Sequence, residues 1–374
     1  MYLDFVCALL SRQKYDVLFP THEQAFLFAR RRDRIPPGVG LAVADFQSFQ
    51  RIQGKAALTR TLAELSIPQP ESRIVHGESE LRAERSFPFF LKMDYATAST
   101  GIWKIEGPAD LARKMDELKA QGWLDGRREW VVQKPARGPV ERLQAVFDRG
   151  RLVGMHGYGQ VREALGGGDV AKSSLDCLSH RPHLLRLGKH LRWHGALSLD
   201  SILENGVPLF IDANPRLVEP VNALLSGVNL AEALVRISCG EALQALPASR
   251  PGVRTHMLLM GLLSAADRRK SRIDVLRELG QAWAGRGLYA QSQEELLPFR
   301  RDPETLLPFA YTLARLLASP RAAGRLSSGT IAAYSLSPEA ARQITSFCAD
   351  ALGDAPAPAL SANHGPKIKD EQLS

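Results

Sequence analysis

Residues 195–216 read GALSLDSILENGVPLFIDANPR, and the interpretation of this stretch decides the architecture. Asn205-Gly206 between two apolar runs signals a hairpin, because both residues tolerate the positive φ of a tight turn. Polar residues interrupt the runs at Ser198, Asp200, Asp212, Asn214 and Arg216. Asp212, Asn214 and Arg216 fall on alternate positions, so a strand sends all three side chains to one face. A strand otherwise fit for burial does not carry a carboxylate, an amide and a guanidinium in one row without partners. A divalent cation carrying a nucleotide is the partner that such a row fits.

Register decides whether Asp200 joins them. A plain two-residue Asn-Gly turn sets Asp200 opposite Ile211, with its carboxylate on the face away from Asp212. One extra residue in the loop, as in a bulge with Gly206 at positive φ, pairs Asp200 with Asp212 instead. Their β-carbons then stand roughly 4.5–5.5 Å apart, close enough to share cations. The bulged turn at Gly206 is the expectation.

The chain around the hairpin has 374 residues, enough for two or three units with substantial cores. Its 48 basic against 40 acidic residues give a net charge of +8. The basic bunches at Arg30-Arg31-Arg32, Arg127-Arg128 and Arg268-Arg269-Lys270 lack the interleaved aromatics of nucleic-acid readers. No specific nucleic-acid partner is expected. Cysteines 7, 177, 239 and 348 form no CxxC, which fits a reducing, cytoplasmic setting. The N-terminus lacks a signal-peptide pattern, and the apolar stretch Met257–Ala266 is too short to span a bilayer, so no membrane association is expected.

In chain order, residues 1–54 hold helical periodicity and one short strand end near Val17, too little for an independent α/β unit. Gly54-Lys55-Ala56 fails the phosphate-loop pattern of GxxxxGK[ST]. Lys55 instead opens a helix that Ile67-Pro68-Gln69-Pro70 ends. The strand 87–92 carries Lys92 near its end, and 96–101 is a small-residue loop that brings amides and hydroxyls toward phosphate oxygens, or is an ordinary hairpin loop. A helix from Pro108, a strand over 129–133 and a hairpin turning at Asp148-Arg149-Gly150 follow. His180, His183, His190 and His194 invite a zinc reading, but no HExxH completes it, and surface histidines on an amphipathic helix are the better account. Asn229 caps a helix to Cys239, and 250–352 is mainly helical. The tail 353–374 is poor in large apolar residues and is expected to be disordered.

Taken in this order, the pieces resemble the ATP-grasp superfamily. The hairpin is similar to the carboxyl half of the nucleotide site in biotin carboxylase and the carbamoyl-phosphate synthetase large subunit, with Gly195, Asp200, Asn205-Gly206, Asp212, Asn214 and Arg216 in place. The resemblance implies an α/β (α+β) fold in which two subdomains, about 55–132 and 133–245, clasp ATP. A reduced pre-ATP-grasp segment, 1–54, precedes them and a helical region follows. It implies phosphate-binding roles for Lys55 and Lys92 and a covering loop at Ser99, Thr100 and Gly101. Gln133, Lys134 and Ala136 match the adenine hinge, and Glu141 the acid near the ribose. Asp200, Asp212 and Asn214 would hold two Mg²⁺ or Mn²⁺ ions, Arg216 the transferring phosphoryl group, and Arg162 an acceptor carboxylate. Aspartates stand at both metal positions, where the family usually has longer side chains, and the covering loop is poor in glycine. The implied activity is a ligase that phosphorylates a small carboxylate for attack by an amine or thiol. The alternative is a degenerate relative that binds ATP·Mg as a sensor or scaffold without turnover.

Overall fold

The computed structural model describes residues 2–95, 101–126, 128–299, 301–327 and 336–346. Ser99, Thr100 and the tail 353–374, all named above, lie outside them.

The chain begins with helices α1 (Tyr2–Arg12), α2 (Gln24–Arg30), α3 (Phe46–Gln53) and α4 (Lys55–Glu64). Only an isolated parallel bridge, Val17 to Gly40, represents sheet structure in this segment. The segment is not separate, however. Phe26, Phe28, Val43 and Phe49 share one core with Trp193, Leu197, Leu199 and Phe210 from the larger subdomain. Asp45 caps α3 by accepting from Ser48 N–H at 3.0 Å, a signal the sequence carried in Asp-Phe-Gln-Ser.

The smaller sheet follows: β1 (Ser72–His76), α5 (Gly77–Arg82), β2 (Phe89–Met93), β3 (Ile102–Ile105), α6 (Pro108–Ala120) and β4 (Glu129–Gln133). Its strands run antiparallel in the order β1-β4-β2-β3. One face buries Val75, Phe89, Leu91, Trp130 and Val132 against Leu111, Met115 and Leu118 of α6. The other face is left for the hairpin.

Residues 134–139 cross to the larger sheet, built from β5 (Val140–Asp148), β6 (Arg151–Glu163), β7 (Asp169–Ser174), β8 (Gly195–Glu204) and β9 (Val207–Asn214). Helices α7 (Arg181–His190), α8 (Val221–Leu225) and α9 (Leu230–Ser238) pack on it. Asn229 caps α9 as expected, accepting from Glu232 N–H at 3.1 Å. The region after residue 250 holds α10 (Leu258–Arg269), α11 (Arg272–Trp283), α12 (Leu306–Ala318) and α13 (Pro338–Thr345). It is not helical throughout. Two short strands, β10 (Arg254–His256) and β11 (Ser292–Glu294), extend the larger sheet into the order β11-β10-β7-β6-β5-β8-β9. Periodicity could not show this, because three residues are too few to establish alternation. Among the described residues, no helix is long and apolar enough to cross a membrane.

Candidate nucleotide and metal site

Gly195 opens the hairpin because nothing else fits. Its φ is +103°, and a β-carbon there would sit 2.2 Å from the Ala42 carbonyl oxygen. At the far end, Asn205 (φ 50°) and Gly206 (φ 81°) form a plain two-residue turn, with Glu204 paired to Val207. The expected bulge at Gly206 is therefore absent. The extra residue is Ile211: pairing runs regularly to Ser201–Phe210 and resumes at Asp200–Asp212. The two carboxylates do face each other, but through a bulge inside the strand rather than at its turn. Packing accounts for the placement. Phe210 belongs to the outer core beside His180 and His183, Ala213 lies in that core too, and only a skipped residue between them lets Asp212 point inward.

The bulge has a second use. Its freed carbonyl, Ile211 O, accepts from Lys92 Nζ at 2.9 Å. Lys92 comes from β2, so the small sheet is tied to the hairpin at the irregular position. Lys55, at the first turn of α4, brings its ammonium 2.7 Å from Asp212 Oδ1. Asp94, two positions after Lys92, accepts from Ala56 N–H at 3.1 Å and so caps the helix that carries Lys55. The two lysines that the sequence singled out are thus fixed to one another through Asp94, which it did not.

Arg142 is the other residue that the sequence analysis missed. Its guanidinium lies 3.2 Å from Asp200 Oδ2 and 3.2 Å from Asp169 Oδ2, and donates to Gly167 O at 3.1 Å. The triglycine loop is therefore held against the site through Gly167. Asp200 pairs with Arg142 on one side and Asp212 on the other, so all three point to the inner face of the sheet. A charged residue mid-strand opposite Asp200 was the available signal, once β5 and β8 were known to be neighbours. Past the end of β9, Arg216 donates to Asn214 Oδ1 at 3.2 Å and Glu23 Oε1 at 3.3 Å.

The electrostatics follow from burial and these contacts. Burial pushes the Lys92 ammonium down to about 8, with Asp212 opposing it. Burial, offset in part by Arg142 and reinforced by Asp212, pushes Asp200 up to about 6. Burial also works against the Asp212 charge, but Lys55 and Lys92 outweigh it and hold that carboxyl below its usual range. Of two adjacent carboxylates, lysines hold one below its usual range and burial holds the other above it.

The remaining candidates sit as follows. Gln133 ends β4, buried, and donates to Ser72 Oγ at 3.0 Å. Lys134 N–H donates to Glu71 O at 2.9 Å where the chain leaves for the larger sheet, and Ala136 lies on that crossing. Gly101, at φ 75°, precedes β3, and its carbonyl accepts from Met93 N–H. Glu141 is not brought to this face: the pleat sends it to the opposite side from Arg142, where it meets His180 Nε2 at 3.2 Å. Arg162 forks onto Glu278 of α11 at 2.6 and 3.3 Å. His190 lies against Glu64 and His194 against Asp148.

Among the described residues no group of three His, Cys, Asp or Glu forms a metal site. The donors at the hairpin are two carboxylates and one amide oxygen, all hard oxygen ligands, with Lys55, Arg142 and Arg216 as their present cationic or donor partners. That set fits Mg²⁺, which takes few protein ligands and completes its shell with phosphate and water. The space enclosed by Lys55, Gln69, Lys92, Gln133, Phe210 and Ile211 is about 10 Å³.

No protein-family model matches the sequence. The carbamoyl phosphate synthase large chain of Thermus thermophilus is 23% identical over 224 residues, 56% of this chain. This chain spans only 22% of that relative's length. Among solved structures, the biotin carboxylase domain of Hydrogenobacter thermophilus 2-oxoglutarate carboxylase, in complex with MgADP and bicarbonate, superposes with a TM-score of 0.56 at 16% identity. The match covers 68% of this chain and 60% of that one. The L-amino acid ligase of Bacillus licheniformis gives 0.54 at 13% identity, over 68% and 66% of the two chains. N5-carboxyaminoimidazole ribonucleotide synthetase of Thermus thermophilus gives 0.52 at 17%, over 67% and 68%. The fold of this chain is the ATP-grasp fold.

Proposed function

We propose that the protein is an ATP- and Mg²⁺-dependent ligase that phosphorylates a small carboxylate to an acyl phosphate for attack by an amine. One observation carries the reading. Lys55 and Lys92 from the small-sheet side converge on the face of the hairpin that presents Asp200, Asp212 and Asn214, with Arg216 just beyond. Phosphoryl transfer asks little covalent chemistry of a protein; it asks for neutralisation of a crowded polyanion and in-line positioning. Lys55 and Lys92 supply point charges for the phosphates, and Arg216 supplies a planar fork for the group in transit. Asp200, Asp212 and Asn214 would hold the metal, which when bound neutralises phosphate charge and orients the transferring group. Phosphates bound here would give Lys55 and Lys92 new acceptors and leave Asp212 able to hold the metal. The similar solved structures, an L-amino acid ligase and a biotin carboxylase domain in complex with MgADP and bicarbonate, support this reading.

The test is ADP release from ATP·Mg with a panel of carboxylates and amines, wild type against Asp212→Ala. Equal turnover in the two would remove the metal assignment. The ion pairs of Asp212 with Lys55 and of Asp200 with Arg142 favour a second reading, a nucleotide-binding sensor or scaffold without turnover. Tight ADP·Mg binding with no ADP release on any acceptor would select it.

A further inference from the structure

Strand β7 covers one edge of β6 only from Tyr158 onward. Before that point two loops take over the edge: Gly157 O accepts from Leu175 N–H at 2.9 Å, and Val153 O accepts from Leu246 N–H at 2.7 Å. Met155 lies between those two contacts and opposite Ala145 of β5. Hydrogen bonding alternates along an antiparallel ladder, so Met155 turns its N–H and C=O away from β5, to the same side as Gly157 and Val153. Among the described residues neither group has a hydrogen-bond partner.

A cavity of about 190 Å³ occupies this interval. An engineered apolar cavity of roughly 150 Å³ is enough to hold benzene. Leu152, Met155, Leu175, Leu178 and Leu246 supply apolar walls. Both flanking loops are fastened. Leu246 is tied to Val153, and the Ser249 hydroxyl meets His156 Nδ1 at 2.7 Å. On the other side, Cys177 C=O accepts from the N–H groups of His180 and Arg181, at 3.1 and 3.2 Å. The cavity is therefore preformed, which spares a ligand the cost of ordering it.

Its rim carries one charge of each sign. Arg181 and Asp176 both line the cavity and both are exposed, and among the described residues neither has an ion-pair partner. Asp176 Oδ1 accepts from Leu178 N–H at 3.0 Å. An α-amino acid answers all of these features at once. Its ammonium and carboxylate stand on one α-carbon, as the N–H and C=O of a strand residue do, and so they meet a strand edge as a paired residue would. The apolar walls select its side chain.

We propose that this cavity binds a free apolar α-amino acid. The ammonium donates to Met155 C=O beside Asp176, the carboxylate accepts from Met155 N–H and Arg181, and the side chain fills the chamber. The site is separate from the hairpin, because β5 and β8 stand between β6 and β9. It does not depend on the ligase reading.

The experiment titrates the full chain calorimetrically with leucine and phenylalanine. The controls are 4-methylpentanoate, which lacks the ammonium, 3-methylbutylamine, which lacks the carboxylate, and alanine, which lacks the large side chain. At least one of the two amino acids is expected to bind about tenfold or more tightly than every control. Amide exchange at Met155 should slow when it binds. Arg181→Ala is expected to weaken binding by about tenfold, and Ala248→Phe, which fills the cavity from an exposed position, to abolish it. Melting curves check that both variants fold; should either fail, the ligand series and Met155 exchange in the wild type decide. No binding of either amino acid, equal binding of a control, or unchanged binding in Ala248→Phe overturns the inference. Each of those results leaves the ligase reading standing.

Discussion

Lys55 Nζ stands 2.7 Å from Asp212 Oδ1, joining the first turn of α4 to the last residues of β9. Lys55 is 7% and Asp212 27% exposed, so the pair is shielded but not sealed. It is the main electrostatic fastening between the helix that opens the small subdomain and the hairpin of the large one.

Asp212→Asn should separate chemistry from folding. The amide keeps a hydrogen-bond acceptor for Lys55 but loses the anionic oxygen that a metal requires. ADP release should fall by about 100-fold or more, since such ligands act as a unit with their phosphates. Asp212→Ala leaves Lys55 and Lys92 without their anion and should in addition cost about 2–3 kcal/mol, below the range for fully buried pairs because Asp212 is part exposed. Steady-state kinetics and urea melts on the two variants check both halves.

The bulge position makes a contrast between two residues five apart. Gly206 at φ 81° has open space around its α-carbon, so Gly206→Ala incurs only the strain of a left-handed alanine, about 1–2 kcal/mol. ADP·Mg binding should survive it. Deleting Ile211 instead removes the residue that turns Asp212 and Asn214 inward, and should abolish ADP·Mg binding. Calorimetric titration distinguishes them, and loss of binding in both would return the register to the turn.

Lys92 and Asp200 should leave opposite marks on stability against pH. Lys92 falls from its ordinary 10.5 to about 8, so between those values the unfolded chain holds a proton the folded chain lacks, and stability rises with pH. Asp200 rises from 3.8 to about 6, so across that window the folded chain holds the extra proton and stability falls as pH rises. Each contribution is about 3 kcal/mol over its window. Chemical denaturation at stepped pH should show the alkaline rise disappearing in Lys92→Met and the acid-side fall disappearing in Asp200→Asn.

Arg162 and Glu278 report on the C-terminal region. Glu278 also accepts from the Tyr289 hydroxyl, so Glu278→Ala strands two donors at once. A loss of about 2–3 kcal/mol and faster amide exchange in α11 and β6 are expected. Should Glu278→Ala raise rather than lower turnover, the freed Arg162 would be acting on an acceptor carboxylate.

Much of the architecture was legible in one dimension. Hairpin, lysine-led helix, helix caps and the order of strands are local signals: Asn205-Gly206 needs only its own φ angles, and Asn229 only the amide three residues on. The candidate site was legible where polar chemistry clashes with burial, as in Asp200, Asp212 and Asn214 on otherwise apolar strands. Arg142 and Asp94 were not, because a charged side chain in an ordinary strand or loop looks solvated until its neighbours are known. Glu141 shows the reverse error, since adjacent positions on a strand face opposite ways, and the sequence does not say which face carries the candidate site.

The hairpin marks the division between the two. Its own residues determined that two strands turn at Asn205-Gly206 and that a row of polar side chains interrupts an apolar run. Only the tertiary structure decided where the register slips, because the slip is set by which of Phe210 and Ala213 the outer core claims and by a lysine from another sheet that takes the carbonyl of Ile211. Pairing within a strand is local; the face a strand must bury is a property of everything packed against it.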